Sequence, residues 1–164
     1  MNRDIYRNIS PLDARYYAGN PRLLDRLAEF LSERSVIRYE AMVEAAMIMV
    51  MERRGLVPEG AGAQMQRASA AIDPEEVYRE EARTRHNIRA LVNVMQNMVD
   101  PAVAPFIHLT ATSEDITGTA QSLGMRDTVY QVVLPACTGL IRSMLRIVES
   151  EAETVCYERF GAHF

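Results

Sequence analysis

The segment "FIHLTATSEDITGTA", residues 106–120, concentrates one histidine, five hydroxyl side chains and two acids. Within it, "TSED" places an acid three positions after a hydroxyl residue, which approximates a capping box and predicts a helix start near Thr112. The backbone N–H groups and dipole of a helix start attract anions, so Thr112 and Ser113 would form a receptor for a carboxylate or phosphate. Glu114 and Asp115 would cap the backbone or position a partner. The simpler interpretation is that Thr112 caps a helix and the other hydroxyls are solvated.

A second cluster, "EEARTRHNIRALV", surrounds His86 with guanidinium groups just ahead of or inside a predicted helix. The arginines are Arg83, Arg85 and Arg89. An anion bound there would meet bidentate donors and a histidine able to transfer a proton near neutral pH. The alternative is an exposed basic helix start whose arginines pair with Glu80 and Glu81.

Two weaker candidates complete the set of polar groups. "DARYY" places Arg15 beside Tyr16 in predicted coil, which indicates either a phosphate clamp or a surface turn. His108 lies between two apolar residues, a setting more typical of a buried, satisfied histidine than of a catalyst. The sequence contains no serine-centred elbow, HExxH, Walker or GxGxxG pattern, so hydrolase, zinc-protease and nucleotide-fold interpretations lack their usual motifs.

Composition limits the class of protein. The 164 residues are 48% hydrophobic and 24% charged, which is typical of a globular chain with one sizeable core. A net charge of −4 and a pI near 5.4 give no general attraction to nucleic acid or to an anionic membrane. Two cysteines without metal-type spacing and no N-terminal signal pattern make the cytoplasm the default compartment. Charges interrupt the apolar runs, so we predict a soluble protein without a membrane span.

Apolar residues recur at helical spacing through most of the chain after a coil-like start, and strand-type alternation is absent. A long amphipathic helix is predicted to end before Gly55 and Pro58, with Glu40 and Glu44 on faces other than the apolar one. Shorter helices are predicted over 60–72, from Pro74, and in "HNIRALVNVMQNMV". The apolar stripe of the long helix contains Val36, Tyr39, Val43, Ala46, Met47 and Val50.

Another helical pattern runs from Ile116 to about Val155, interrupted by Pro135. A helix near 40 residues is long for a domain of this size, and it suggests a bundle larger than this chain. One of its faces carries Leu140, Met144, Ile147 and Val148. The ten methionines of the chain favour gap-filling in a core or subunit interface over metal binding.

Taken together, "ISPLDARYY", "TRHNIRALV" and "FIHLTATSEDITGTA" resemble, in this order and spacing, the N-terminal part of the adenylosuccinate lyase family of the fumarase/aspartase superfamily. The resemblance covers nearly the whole chain. It implies an all-α fold with an N-terminal helical domain over 1–111 and the truncated start of a central long-helix bundle over 112–164. It also implies a homotetramer whose active sites draw on three subunits.

The resemblance further implies a small-molecule substrate. The family cleaves adenylosuccinate to AMP and fumarate, and it cleaves a related succinyl-carboxamide ribotide, both by β-elimination without a metal or organic cofactor. The matched positions make His86 the catalytic candidate, pair Arg15 and Tyr16 with phosphate, and pair Thr112 and Ser113 with the succinyl carboxylates. Arg85 and Asn87, which adjoin His86, complete the predicted substrate contacts, and His108 flanks a matched position.

Three departures from the family pattern stand out. The family's His-Asp pair reads His86-Asn87 here, so an amide replaces a charged acceptor. The family's "GRTHGQPA"-like segment reads "YERFGAHF", in which Arg159 matches, the general-acid histidine does not, and His163 is displaced. The loop with the family's serine base has no counterpart in these residues. We therefore expect no activity from the chain alone, and the alternative function is a noncatalytic helical assembly module.

Overall fold

The structure, a computed structural model, describes Tyr16 and residues 21–155. Every regular element among these residues is helical, which confirms the predicted all-α fold. The helices are α1 (Pro21–Leu31), α2 (Glu33–Arg53), α3 (Ala61–Ala70), α4 (Pro74–Thr84), α5 (Asn87–Gln96), α6 (Ser113–Thr128) and α7 (Leu134–Ser150). A 3-10 turn (Ala104–Phe106) precedes α6, and a π-helical turn (Val129–Val133) joins α6 to α7.

Helix α2 is the central element, against which α1, α3, α4, α5 and α6 pack. Its N-cap is Ser32, whose hydroxyl accepts the Ser35 N–H at 3.3 Å, and the Ser35 hydroxyl donates to the Ala28 carbonyl at 2.9 Å. These hydrogen bonds satisfy groups at the start of α2 and at the end of α1. The core around α2 includes Ile37, Ala41, Ile48, Met65, Ile88, Leu91, Met95 and Ile116.

The buried face of α2 differs from the predicted one. Ala46 and Val50, which belong to the predicted apolar stripe, are exposed. Glu40 and Glu44, predicted to lie on other faces, are buried. The cause is register: positions 37, 41, 44 and 48 repeat every three or four residues and share one helix face, which includes a glutamate. Part of the predicted stripe instead lines an open groove beside the start of α6.

The start of α3 is capped from α2 instead of by its own N-cap side chain. The Glu52 carboxylate accepts the N–H of Gly60 and, at 2.9 Å, the N–H of Gly62. A Cβ at position 62 would lie 2.9 Å from the Met49 Cγ, so glycine permits this close approach. The same carboxylate therefore satisfies two backbone donors and fixes the distance between the two helices.

Pro135 changes the helix locally without ending it. Proline offers no N–H to the carbonyl of Gln131, four positions earlier, and its ring would clash with that carbonyl in an ordinary α-helix. The chain widens into the π-helical turn, and Arg26 Nη2 donates to the released Gln131 carbonyl at 2.6 Å. The helix consequently continues from α6 into α7, with α1 attached at the turn.

The two halves of this continuous helix differ in burial. Helix α6 buries Ile116, Ala120 and Gly124, whereas α7 has no buried residue. The predicted apolar face is exposed, and its large side chains are Leu140, Ile141, Met144, Leu145, Ile147 and Val148.

The continuous helix Ser113–Ser150 also bears on the membrane prediction. By length and composition alone it can cross a membrane, which corrects the prediction that charges interrupt every such run. Residues 128–145 contain one charged side chain, Arg142, and a single charge does not exclude a span. The core helix of a soluble protein passes the same test, so composition does not decide between a lipid and a protein partner for this helix.

Candidate functional site

His86 lies between α4 and α5, and its ring caps the start of α5. Arg85 adopts a left-handed conformation with φ of 58° at the end of α4, and His86 is the N-cap of α5. The His86 Nδ1 accepts the Arg89 N–H at 3.3 Å, while the Thr84 hydroxyl donates to the His86 carbonyl at 3.1 Å. Since Nδ1 acts as an acceptor, the neutral ring carries its proton on Nε2, which remains for another partner.

Of the three arginines near His86, Arg83 and Arg89 line one groove and Arg85 does not. Arg83 forms an ion pair with Glu80 at 2.5 Å, and Asn93 donates to the same carboxylate at 2.6 Å. The hydrogen bond from Arg83, followed by that from Asn93, lowers the pKa of Glu80 to about 2. Arg83 therefore has the acidic partner that the alternative interpretation gave it. Arg83 and Arg89 both line, with Arg79 and Asn93, an open groove of about 990 Å³ along α4 and α5.

Thr112 and Ser113 stand at the start of α6, Thr112 as an exposed N-cap and Ser113 as the first helical residue. The Asp115 carboxylate accepts the Thr112 N–H at 2.9 Å, and the Asp115 N–H donates to the Thr112 carbonyl at 3.0 Å. Asp115 thus caps the backbone, as one of the two predicted roles requires. An apolar groove of about 600 Å³ adjoins this turn and is lined by Thr110 and Asp115, but not by Thr112 or Ser113.

His108 joins this turn to the core. Its Nδ1 lies 2.6 Å from Oε1 of Glu44 on α2, and the Glu44 side chain is fully buried. Burial raises the pKa of Glu44, although the hydrogen bond and the charge of His108 act in the opposite direction. The ring of His108 is therefore satisfied by a hydrogen bond, as predicted, but the residue is only partly buried. The predicted apolar face of α2 does not include Glu44, although the 37, 41, 44 and 48 spacing is a signal that indicates its burial.

Backbone strain coincides with the two sequence motifs. In the described part of the chain, the non-glycine residues with positive φ are Arg85, His108 and Thr110, at 58°, 64° and 67°. Left-handed backbone is unfavourable for residues with a Cβ, and it often persists where function fixes the geometry. Arg85 belongs to the His86 motif and the other two lead into Thr112, so the strain marks both candidate segments.

The structure places the predicted site residues in two separate groups. Arg85, His86 and Asn87 are exposed and contiguous, and Thr112 and Ser113 form the second group on α6. None of these five residues lines the groove along α4 and α5 or the groove at the start of α6, and the two grooves share no lining residue. Tyr16 is exposed, whereas Arg15, Arg159 and His163 lie outside the described residues. Among residues 21–155, no group of three or more His, Cys, Asp or Glu side chains is arranged to hold a metal ion.

Comparison with known proteins shows which proteins have a similar sequence. The chain is similar to adenylosuccinate lyases. It is 30% identical to the adenylosuccinate lyase of Archaeoglobus fulgidus over 74% of the chain and 25% of the relative. It is 26% identical to the adenylosuccinate lyase of Methanocaldococcus jannaschii over 94% of the chain and 33% of the relative. No protein-family model matches the chain.

The matches cover most of this chain but only part of each relative. The chain spans between a quarter and about a third of the length of these adenylosuccinate lyases. A match over 94% of the chain leaves out so few residues that it includes both the His86 and the Thr112 segments. The substrate roles of His86, Arg85, Asn87, Tyr16, Thr112 and Ser113 stay predictions.

Proposed function

We propose that the chain is the N-terminal part of an adenylosuccinate lyase, which releases fumarate by β-elimination from adenylosuccinate and from the related succinyl-carboxamide ribotide. The observation that carries this proposal is the similarity to adenylosuccinate lyases over up to 94% of the chain. The strained turns at Arg85 and His108 support it, because they lie in the motifs that carry the resemblance.

In this proposal each group supplies part of a binding site. The N-terminus of α6, with the Thr112 and Ser113 hydroxyls, receives the succinyl carboxylates, because hydroxyl and N–H donors favour an anion there. His86 presents Nε2 to the substrate near the leaving group, since its Nδ1 is engaged by α5. Arg15 and Tyr16 contact the phosphate, and Arg85 and Asn87 adjoin His86.

Assembly completes the site. The two groups of residues lie at the starts of different helices, α5 and α6, and share no groove, so segments from other subunits of a homotetramer would bring substrate contacts together. The division into a domain over 1–111 and a bundle segment over 112–164 belongs to the same proposal, as does a cytoplasmic location. The reaction proposed here uses no metal or organic cofactor.

The test uses the complete translated product of the reading frame that contains residues 1–164. We expect it to release fumarate from adenylosuccinate, followed by ultraviolet absorbance. Thr112→Val and Ser113→Ala should each reduce kcat/KM by about tenfold or more, because each removes a hydrogen bond to a charged group. Thr119→Val, an exposed hydroxyl on the same helix, is the matched control and should retain activity. A folded product that neither binds nor cleaves adenylosuccinate would contradict the proposal.

A noncatalytic assembly module is the second candidate, and the exposed face of α7 is the observation that favours it. Such a module would keep the fold and self-association without binding adenylosuccinate. The Asn87 substitution and the unmatched general-acid histidine agree with this alternative. Binding of adenylosuccinate by the translated product, measured by calorimetry, separates the two functions.

A further inference from the structure

The contact between Glu44 and His108 joins two residues that are 64 positions apart in the chain. Glu44 is fully buried on α2, and its Oε1 lies 2.6 Å from the His108 Nδ1. Its other oxygen, Oε2, is buried without a hydrogen-bond partner among the described residues. A buried carboxylate is costly unless it is paired, so the His108 ring is the principal group that compensates Glu44.

His108 lies at the base of the turn that leads into α6. Its left-handed backbone directs the chain away from the 3-10 turn, and its carbonyl accepts the Ala111 N–H at 3.4 Å, one residue before Thr112. About a fifth of the His108 side chain is exposed. The ring therefore links the interior of the helical core to the surface beside the candidate anion site.

We propose that Glu44 is a positioning residue, whose carboxylate holds the His108 ring in one orientation and in the Nδ1–H tautomer at the entrance to α6. The proposal deepens the proposed function, on which the identity of the anion rests. Glu44 contacts no substrate; it acts through His108 and the turn that His108 anchors.

The chemistry follows from the acceptor character of a carboxylate. When the Nδ1–H donates to Glu44, Nε2 of the neutral ring is left as an acceptor, and a protonated ring presents Nε2–H as a donor. A carboxylate partner of this kind fixes both the tautomer and the ring orientation of a histidine. His86 has the opposite arrangement, because its Nδ1 accepts a backbone N–H. With both rings neutral, the Nε2 of His86 would therefore be a hydrogen-bond donor to a ligand, whereas the Nε2 of His108 would be an acceptor.

Nuclear magnetic resonance of the 15N-labelled 164-residue chain tests this directly. Long-range 1H–15N spectra are recorded at about pH 8, where imidazole is mainly neutral in water. We expect the Nδ1–H form of His108 to exceed the Nε2–H form by about tenfold or more, as a charge-assisted hydrogen bond predicts. An Nε2–H form of His108 in the unsubstituted chain would overturn the proposal without any substitution.

Glu44→Gln and Glu40→Gln form the matched pair of variants. Both positions are buried on α2 one turn apart, but only Glu44 contacts His108. We expect Glu44→Gln to abolish the tautomer preference, since an amide can either accept from Nδ1–H or donate to Nδ1. Glu40→Gln should preserve it. An unchanged tautomer in folded Glu44→Gln, or an equal change in both variants, would refute the positioning role.

A separate titration distinguishes this inference from the proposed function. Succinate, as a dicarboxylate probe, should shift the backbone amide signals of Ser113 and Glu114 in the unsubstituted chain if α6 receives an anion. Absence of that shift would count against the anion site and leave the tautomer result intact. A shift together with an Nε2–H ring would support the site and exclude the role of Glu44.

Discussion

His86 combines a structural and a proposed catalytic task in one ring. Its Nδ1 caps α5 by accepting the Arg89 N–H, and only Nε2 remains for a substrate. A substitution that removes the whole side chain would disturb both tasks, so loss of activity alone would not identify the role of His86. Asparagine is an effective N-cap residue, and it separates the two tasks.

We therefore expect His86→Ala to lower the free energy of unfolding by about 1 kcal/mol, because the cap is lost. His86→Asn should unfold close to the parent chain, since its side-chain oxygen can accept the Arg89 N–H. Urea denaturation followed by circular dichroism of the 164-residue chain measures both. In the complete translated product, His86→Asn should nevertheless lose fumarate release; stable, active His86→Asn would remove His86 from the chemistry.

Some side-chain hydrogen bonds can be predicted from a local sequence pattern, and others cannot. "TSED" predicts the start of α6 because the capping signal is local, and Asp115 forms the expected hydrogen bond to the Thr112 N–H. The hydrogen bond between Glu44 and His108 depends on a long-range contact that no local pattern encodes. The sequence pattern therefore predicts another face for Glu44, which belongs to the buried face.

At the scale of the elements, the register of α2 makes Glu40 a source of pH dependence. Burial, followed by the charges of Glu33, Glu81 and Glu44, raises the pKa of Glu40 from its usual 4.5 to about 7. Between these values the folded chain keeps a proton that the unfolded chain has released. The contribution of Glu40 to stability is thus fully present below about pH 4.5 and is lost as the pH rises through about 7.

Glu40→Gln removes this titration. Relative to the parent chain, we expect the variant to gain up to about 3 kcal/mol in free energy of unfolding between about pH 5 and pH 8. Urea denaturation at several pH values measures how the difference in free energy of unfolding between variant and parent changes with pH. An effect of the amide on stability that is the same at every pH does not alter this change. Glu59→Gln, at an exposed position, is the control and should run parallel to the parent. Parallel curves for Glu40→Gln and the parent would contradict the raised pKa.

The link between α2 and α3 gives a further prediction at this scale. Gly62→Ala would place a Cβ within 2.6 Å of the Glu52 Oε2 and 2.9 Å of the Met49 Cγ. The helices must then separate, or Glu52 must release its two backbone donors, and we expect a loss of about 1 to 3 kcal/mol. Thermal unfolding measures this loss, and Gly139→Ala on exposed α7 is the control because nothing lies near its new Cβ. Equal melting temperatures for Gly62→Ala and the parent chain would contradict the capping role of Glu52.

Helix boundaries were more predictable than helix faces. Gly55, Pro58 and Pro74 act through the backbone, so they place the end of α2 and the start of α4 correctly. The face of α2 depends on which neighbours pack against it, and apolar residues occur on more than one side of this helix. Pro135 illustrates an intermediate case, because the sequence predicts a local disturbance but not the π-helical turn or the hydrogen bond from Arg26.

At the scale of the whole molecule, α7 shows that the chain does not bury all its apolar surface. Leu140, Met144, Ile147 and Val148 are each more than half exposed. Soluble monomers rarely expose a contiguous apolar face of this kind, which marks a contact with protein or lipid. The proposed relation to a helical bundle favours protein, whereas the length and composition of Ser113–Ser150 also permit lipid.

We therefore expect the purified 164-residue chain to self-associate and to release no fumarate from adenylosuccinate. Elimination requires an acid and a base placed together on the substrate, and the residues that match the family do not include its general-acid histidine or serine base.

Light scattering at several concentrations measures the association, and Leu140→Glu with Met144→Glu should shift it toward monomer, because charges disfavour burial of the face. Thr119→Glu with Ser122→Glu, on the exposed side of α6, is the matched control. Flotation with neutral phospholipid vesicles would instead assign the face of α7 to a membrane. Fumarate release by a monomeric 164-residue chain would contradict both the proposed site assembly and the role of α7, because a single copy would then hold every group that the elimination requires.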